Sequence, residues 1–372
     1  MIYLRRYILR TLCLLSLIVA CTKKTTVIPA VVVPVVVPVV PPPSVEIPEP
    51  TVYPGYALEW NDEFNGKEVD LTKWSIETGT GVNGDFGTGQ LDRATQRSQN
   101  ISIVTGIANA GGGTLAVTTL HETYIDRNYT SGRLNTGLSG FWGPGYRIEA
   151  RIWPRDIRYK GQGFAFWMMP AEKPANVASI MWPQGGEIDI MEYVAAIPRY
   201  NLGSVHYAWS WENNLYQSWN HGHQGGYYGY IEKQVPYSNP AYGGWPVAAN
   251  DTTAGSGGFH IYRIDWFDER MEFSIDTQVY HIHYFNDGAA FDNGAADGQD
   301  QAAAVMTAGK REWKSEYSNH FAEWSPFKHK FYILLTAGVG GNDNLTYGGA
   351  ITSDAIFPCS TYIDWVRVYK RQ

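Results

Sequence analysis

Three acidic residues lie within one six-residue segment, 187–192, whose sequence is EIDIME. In a β-strand successive side chains point to opposite faces, so Glu187 and Asp189 share one face and the two isoleucines point to the other. Regular alternation would place Glu192 on the isoleucine side. One extra residue near Met191, a β-bulge, would return Glu192 to the face that carries the other two acids. The segment therefore predicts three carboxylates on one face of a bulged strand.

Carboxylates held this close oppose one another's ionisation, so the pKa of at least one of them rises. A protonated acid beside an ionised carboxylate is the pair that glycoside hydrolysis requires. Retaining enzymes hold the two groups about 5–5.5 Å apart, so we expect Glu187 and Glu192 to lean together across a curved strand. Two other interpretations remain open at this point, a solvated polar strand face and a site for a hard cation.

The elements around this segment predict an all-β protein. Alternating apolar and polar residues, bounded by Gly, Asn, Asp or Pro, recur at Tyr146–Ile152, Phe259–Phe267, Met271–Ile275 and Tyr362–Tyr369. Such short, turn-bounded strands favour a β-sandwich of two antiparallel sheets with a substrate cleft on a concave face. The Ala-, Gly- and Asp-rich stretch 288–314 predicts a long, partly helical surface insertion.

Composition narrows the class of ligand. The chain has 14 Trp, 25 Tyr and 39 Gly and a net charge of −7. An acidic chain lacks the basic footprint that nucleic acids require. Exposed aromatic rings can instead stack on the flat apolar faces of sugars, although most of them are expected in the core. Cys359 is alone in the folded body, so no disulfide framework is expected.

The N-terminus predicts export. Residues 1–20 combine a basic start with a short apolar run and form a predicted signal peptide. The segment ending in Cys21 resembles a bacterial lipobox, whose cysteine is lipidated. Residues 21–50 carry eight prolines and predict a semi-rigid spacer. Residues 51–372 would then be one catalytic domain, which is expected to be a monomer. It would reach the membrane only through its lipid, in a Gram-negative-type cell envelope.

Motifs along the body resemble glycoside hydrolase family 16 in its bulged, laminarinase-like form. The 187–192 segment is similar to that family's active-site signature. Further matches follow in order at Glu59–Gly66 with Trp74, Thr130–Asn135, Phe164–Pro170, Val205–Tyr207, Phe331–Gly341 and Tyr362–Tyr369. The resemblance implies a jelly-roll sandwich with a cleft and endo-hydrolysis of β-1,3-glucan with retention of configuration. Mixed-linkage β-1,3/1,4-glucan is a further candidate substrate.

The same resemblance implies roles for single residues. Glu187 would be the nucleophile, Glu192 the acid/base, and Asp189 the residue that hydrogen-bonds the nucleophile. Residues expected to contact substrate are Trp167, Trp182, Arg133, Asn135, His206 and Trp209. No cofactor is expected in catalysis. Glu63 and Asp364 are candidates for a structural calcium on the face away from the cleft.

The chain departs from the family pattern at two places. Thr336 stands where an Asn is usual, and Asn342–Asn344 follows the glycine pair where a Trp is usual. A loop with Trp209, Trp211, Trp219, His221 and His223 is expected to rebuild the cleft. Because Arg133 and these histidines are basic, a hydrolase of agarose- or porphyran-type galactans stays open as an alternative. So does a non-catalytic glycan-binding lipoprotein, although such a protein would be expected to lose a carboxylate.

Overall fold

Nearly every described element of the protein is a β-strand. The computed structural model describes residues 50–173, 182, 185–195, 200–208, 211–212, 215–216, 221–230, 258–285, 305–307, 310–315, 326–341 and 348–372. Its strands are β1 (Tyr56–Asp62), β2 (Ser75–Ile76), β3 (Asp92–Ala94), β4 (Ile101–Val104), β5 (Thr114–Tyr124), β6 (Arg127–Ser131), β7 (Arg133–Asn135), β8 (Tyr146–Trp153), β9 (Gln162–Pro170), β10 (Glu187–Val194), β11 (Tyr200–Ala208), β12 (Trp211–Glu212), β13 (Leu215–Tyr216), β14 (His221–Tyr230), β15 (His260–Trp266), β16 (Arg270–Ile275), β17 (Gln278–Phe285), β18 (Val305–Thr307), β19 (Lys310–Ser315), β20 (Phe331–Val339) and β21 (Cys359–Arg371). Short 3-10 turns occur at Val82–Gly84 and Pro326–Lys328. Within these residues no helix is long and apolar enough to cross a bilayer.

Two large sheets form the body. A seven-stranded sheet runs in the order β14-β11-β10-β9-β20-β7-β2, and we call it the site sheet because β10 carries the three acids. A twelve-stranded outer sheet has the path β18-β19-β17-β16-β15-β8-β21-β5-β6-β3, with β1 on β21 and β4 on β5. The all-β sandwich is confirmed. Two pairs, β17–β19 and β3–β6, are parallel where antiparallel pairing was expected.

One buried apolar cluster joins the two sheets. It takes Phe164, Phe166 and Met168 from β9, and Ile148 and Ile152 from β8. Because alternate residues of a strand face opposite sides, the residues between them on β9 face away from this core. The opening and closing strands of the body also meet, since β1 pairs antiparallel with β21. Val45–Gln372 forms one compact unit.

Two expectations about local structure are corrected. The described parts of the 288–314 insertion are not helical but belong to strands β18 and β19, which extend the edge of the outer sheet. His221 and His223, expected in a loop, lie on β14, where His223 is opposite His206 in register. Trp211 begins the short strand β12. The pairing of β14 with β11 and of β19 with β17 joins segments that are separated in sequence, so a local pattern did not reveal it.

The face of the outer sheet away from the core is held by ion pairs between neighbouring strands. Glu149 on β8 lies opposite both Arg263 and Arg367. Its carboxylate is completely buried and accepts hydrogen bonds from Arg263 Nε at 2.7 Å and from the Tyr53 hydroxyl at 3.2 Å. Burial raises the pKa of Glu149, and Arg263 opposes that rise. The buried Glu149 carboxylate is therefore stabilised by its partners, and the Arg263 guanidinium is stabilised by the carboxylate.

Removing Glu149 should destabilise the fold strongly. In Glu149→Ala the Arg263 guanidinium keeps its buried position without its counter-ion, so we expect the free energy of unfolding to fall by about 3–5 kcal/mol. Urea denaturation followed by tryptophan fluorescence measures this change. The control is Glu269→Gln, which removes the exposed ion pair with Arg270 and should cost less than about 1 kcal/mol. Equal losses in both variants would contradict this account of the outer sheet.

Candidate active site

A β-bulge places all three acids of β10 on one face. Against β9, Asp189 is opposite Trp167 and Met191 is opposite Phe166, which leaves Ile190 as an extra residue. Ile188, Ile190 and Met191 are all at most 1% exposed and belong to the core. Two consecutive inward residues return Glu192 to the outer face, which is the arrangement that the sequence predicted.

The chain enters this strand through a glycine. Gly186, directly before Glu187, has a φ of 86°, in the left-handed region that side chains other than glycine rarely adopt. Trp182 also contacts the start of this strand, because its Nε1 donates a 2.7 Å hydrogen bond to Glu187 Oε2. The indole itself remains 49% exposed on the face of the acids.

Asn201 supports the bulge from the core side. Its side chain is completely buried, and Nδ2 donates to the Ile190 carbonyl oxygen at 3.0 Å. A bulged residue leaves the regular ladder, so its buried carbonyl needs another donor. Asn201 could not be identified from the sequence, because only the three-dimensional pairing of β10 with β11 shows what its amide contacts.

Two residues of β11 face the acids. Ser204 is opposite Asp189, and His206 is opposite Glu187. The Ser204 hydroxyl lies 2.8 Å from Asp189 Oδ2 and 3.3 Å from Glu192 Oε2. His206 Nε2 is 3.0 Å from Asp189 Oδ2 and 3.9 Å from Glu187 Oε1. Asp189 is thus the centre of the cluster, and a donor or proton-sharing partner lies on each side of it.

Burial raises the pKa of every acid in the cluster, and repulsion between carboxylates adds to the rise for the two glutamates. Burial raises the pKa of Asp189 to about 7, against an opposing hydrogen bond from Ser204. Burial and the charge of Asp189 raise the pKa of Glu192 to about 8. The pKa of Glu187 also rises well above its ordinary value because of burial, Asp189 and Glu192, while the Trp182 hydrogen bond lowers it. The cluster therefore retains protons near neutral pH, and Glu192 is placed to donate one.

The same atoms could in principle hold a cation. One ligand atom each from Glu187, Asp189 and His206 lies within 4.8 Å of the others. Among the residues that the structure describes, this is the only such group of three histidine, cysteine or acidic side chains. The hydrogen bonds from Trp182 and Ser204 already occupy two of the carboxylate oxygens. The cluster fits proton exchange among its own members without a metal ion.

The predicted sugar contacts extend from the acids across the site sheet. Trp167 is opposite both Asp189 and Leu334, and Leu334 is opposite Asn135. Arg133 lies two residues before Asn135 on β7 and therefore on the same face. With His206 and Trp182, these residues share the face that carries the acids. Trp209 lies outside the described residues, as do Cys21 and residues 342–344.

Arg133 is not a free cation in this cleft. It is only 7% exposed, its Nε donates to Glu77 Oε2 at 3.1 Å, and its guanidinium lies 4.2 Å from the centre of the Phe86 ring. Asn135 Nδ2 donates to the other oxygen of Glu77 at 2.7 Å. Glu77 thus fixes two predicted sugar contacts, and neither Glu77 nor Phe86 was identified from sequence. Their roles depend on pairings between separate parts of the chain.

Thr336, which departs from the family pattern, has a local role. Its hydroxyl accepts a 3.1 Å hydrogen bond from Trp167 Nε1. The indole is therefore oriented by β20 rather than by solvent. The departure replaces an amide with a smaller group but leaves the tryptophan anchored in the row beside Asp189.

The side chains of Glu63 and Asp364, as placed, do not fit the calcium site that the resemblance implied. Both oxygens of Glu63 accept hydrogen bonds from Arg367, at 2.8 and 2.7 Å. Asp364 pairs with Arg151 and accepts the Gly111 N–H at 2.8 Å. Two guanidinium groups already neutralise the carboxylates, and a divalent cation would be placed beside positive charge.

The raised pKa of Glu192 should appear in the stability of the protein. An unfolded Glu titrates near pH 4.3, so between about pH 4 and pH 8 the folded state holds a proton that the unfolded state has released. Wild type therefore loses stability as the pH rises through this range. Glu192→Gln has no such proton, so its melting temperature relative to wild type should rise from pH 4 to pH 9. A difference that stays constant with pH would contradict the raised pKa.

A variant with the opposite sign serves as the control. Hydrogen bonds from Arg97 and Thr130 lower the pKa of Glu122, which lies outside the cluster. Its contribution to stability is present above the unfolded pKa and is lost in acid. Glu122→Gln should therefore lose stability relative to wild type as the pH rises from about 3 to 5.

Comparisons with known proteins agree with the fold and with the motifs. No family model matches the chain. A beta-glucanase of Rhodothermus marinus is 29% identical over 85% of this chain and 86% of its own length. A glucan endo-1,3-beta-glucosidase A1 of Niallia circulans is 25% identical over 88% of this chain, which spans only 40% of that protein.

Similarity in structure covers the same part of the chain. The X-ray structure of the laminarinase from Rhodothermus marinus superposes with a TM-score of 0.56 and 26% identity, over 85% of this chain and 97% of that one. The order of the motifs, the bulged acidic strand and the two-sheet sandwich all agree with this similarity to laminarinases. The chain is therefore similar, in sequence and in fold, to laminarinases of glycoside hydrolase family 16.

Proposed function

We propose that this protein is an endo-acting hydrolase of β-1,3-glucan that retains anomeric configuration. The observation that carries the proposal is the bulge at Ile190, which puts Glu187 and Glu192 on one face beside Asp189. A carboxylate pair with unequal proton affinities is what double displacement requires. The relatives are a glucan endo-1,3-beta-glucosidase and a beta-glucanase, which supports the same substrate class.

The geometry supports different chemical roles for Glu187 and Glu192. Glu187 would attack the anomeric carbon while Glu192 gives its proton to the departing glycosidic oxygen. The C–O bond to the leaving sugar breaks as the bond to Glu187 forms. Glu192, now ionised, would then take a proton from water, whose oxygen displaces Glu187 from the sugar. The enzyme ends the cycle with Glu192 protonated and Glu187 ionised.

Three neighbours of Glu187 influence whether its side chain is ionised. Trp182 donates to one oxygen of Glu187 and lowers its pKa. Asp189 shares a hydrogen bond with Glu187 that raises the pKa of Glu187 and lowers that of Asp189, so the shared proton must move to Asp189 before Glu187 attacks. His206 lies within 3.0 Å of Asp189 and can supply a donor on that side when Asp189 is ionised.

The charges of the described cleft favour a neutral polysaccharide. Its face carries Glu77 and the three acids of β10, and the cation of Arg133 is already paired with Glu77. A sulfated galactan would bring negative charge against these carboxylates without a free guanidinium to receive it. Trp182, half exposed beside the nucleophile, offers an apolar surface for a sugar ring. The charges therefore favour a β-glucan, with mixed-linkage β-1,3/1,4-glucan as a second substrate, over sulfated porphyran, and the preference over uncharged agarose rests on the relatives.

The proposal for location rests on sequence alone. A signal peptide over residues 1–20 and a lipidated Cys21 would anchor the protein in the cell envelope, and the proline-rich residues 21–50 would hold the catalytic domain away from the membrane. The residues up to 49 lie outside the described part of the chain.

A panel of polysaccharides tests the function directly. We expect the wild type to release oligosaccharides of several lengths from laminarin, slower release from lichenan, and none from agarose or porphyran, with products sized by chromatography. Glu187→Gln should abolish cleavage, because an amide cannot form the glycosyl-enzyme, without loss of the folded state by circular dichroism. Glu192→Gln should lower kcat by about 10²–10⁴-fold.

The outcomes separate the competing functions. Undiminished cleavage by Glu187→Gln would refute the assigned nucleophile. Binding of laminarin by the wild type without any cleavage across the panel would identify a glycan-binding protein instead. Preferential cleavage of porphyran would overturn the argument from the charges of the cleft, and preferential cleavage of agarose would overturn the proposed substrate class.

A further inference from the structure

One hydroxyl group contacts two of the three acids. Ser204 is 2% exposed, and its Oγ lies 2.8 Å from Asp189 Oδ2 and 3.3 Å from Glu192 Oε2. It occupies this position because β11 pairs with β10 on both sides of the bulge, with Asp189 opposite Ser204 and Glu192 opposite Leu202. The bulge brings Glu192 back toward the same hydroxyl that Asp189 contacts.

A serine hydroxyl has a single hydrogen and two lone pairs, so it cannot donate to both carboxylates at once. When Glu192 is protonated, its O–H can donate to Ser204 Oγ while the serine donates to Asp189. When Glu192 is ionised, it has no hydrogen to offer, and the serine satisfies it only by rotating its own O–H toward it. The direction of this one hydrogen bond must therefore follow the protonation state of Glu192.

We propose that Ser204 is a positioning residue whose hydroxyl rotates between Asp189 and Glu192 and so couples the acid/base cycle of Glu192 to the charge on Asp189. This inference rests on the proposed function, in which Glu192 gives and regains a proton in every turnover. No proton leaves Ser204 at any step. The hydroxyl donates to Asp189 before the sugar is attacked, donates to the Glu192 carboxylate while the glycosyl-enzyme exists, and returns when water restores the proton to Glu192.

Among the side chains that the structure describes around Glu192, Ser204 is the one suited to this role. On β10 it faces the negative groups Asp189 and Glu187, and on β11 the imidazole of His206 contacts Asp189 and Glu187. Across the sheet, Glu192 is opposite Ala165, which is opposite Thr336, and neither carries a charge. Arg133 follows on the next strand and is paired with Glu77.

The rotation also has an electrostatic consequence. Hydrogen bonds from Ser204 lower the pKa of both Asp189 and Glu192, against the rise that burial causes. Without the hydroxyl, Glu192 would hold its proton more tightly and release it less readily to the leaving group. A residue that merely filled space would not change these proton affinities.

Ser204→Ala in the full chain tests the proposal through the pH dependence of laminarin hydrolysis. The alkaline limb of kcat/KM reports the acid of the free enzyme, so loss of the hydrogen bond should move this limb upward by about one pH unit. We also expect kcat to fall about tenfold, because the acid becomes weaker and its anion loses a donor. Ser204→Thr, which keeps the hydroxyl, should restore the limb toward its wild-type position.

The matched control deletes a buried hydroxyl elsewhere. Ser360 Oγ lies 2.8 Å from Thr118 Oγ1 in the outer sheet, and Ser360→Ala should leave the alkaline limb in place. An alkaline limb that stays fixed or moves downward in Ser204→Ala, while the variant remains folded by circular dichroism, would overturn the proposal. So would an equal shift in Ser360→Ala.

A second measurement does not depend on activity. Titration of the Glu192 side-chain carboxyl by ¹³C NMR should give a higher pKa in Ser204→Ala than in wild type, and a smaller rise in Ser204→Cys, whose thiol is a weaker donor. An unchanged carboxyl pKa would refute the role of Ser204 even if the wild type cleaves laminarin. A raised pKa in a wild type that cleaves no polysaccharide would instead locate the failure in the proposed function.

Discussion

The structure depends on one extra residue in one strand. Ile190 has no counterpart on β9, and without it Glu192 would point into the core beside Ile188. A charged or protonated glutamate there would be buried against apolar side chains at a high cost in free energy. The bulge instead keeps Ile190 and Met191 together in the core and turns Glu192 to the outer face. Asn201 makes the irregular backbone tolerable because it satisfies the carbonyl that leaves the ladder.

The second constraint is electrostatic. Three acids on one face repel one another, and a fold that only had to be stable would avoid them. Here donors from two different segments compensate the cluster: the indole N–H of Trp182 for Glu187, and the Ser204 hydroxyl for Asp189 and Glu192. The remaining repulsion between the carboxylates is reduced because some of them retain protons. The raised pKa values and the capacity for acid catalysis therefore have the same origin. The cluster lowers the stability of the fold at the position where catalysis needs a protonated acid.

Features that depend on neighbouring residues could be predicted from the sequence, and features that depend on strand pairing could not. Alternation and the identity of the acids are local, so the strand, its bulge near Met191 and the shared face of Glu187 and Glu192 were predictable. The family resemblance supplied Trp167, Arg133 and Asn135, and these do lie on that face. Ser204, Asn201 and Glu77 were not found, because their roles depend on which strands pair and in what register. For the same reason the sequence could not show that arginines already pair with Glu63 and Asp364.

The central claim is that Glu187 and Glu192 act together on a single sugar from one face of the site sheet. The most direct test is ¹H NMR of the anomeric protons during the first minutes of laminarin hydrolysis, before the products mutarotate. The account predicts that β-configured reducing ends appear first and that the α-anomer grows in later. Initial release of the α-anomer would mean direct attack by water across a wider gap, and it would contradict the close pairing of the two glutamates.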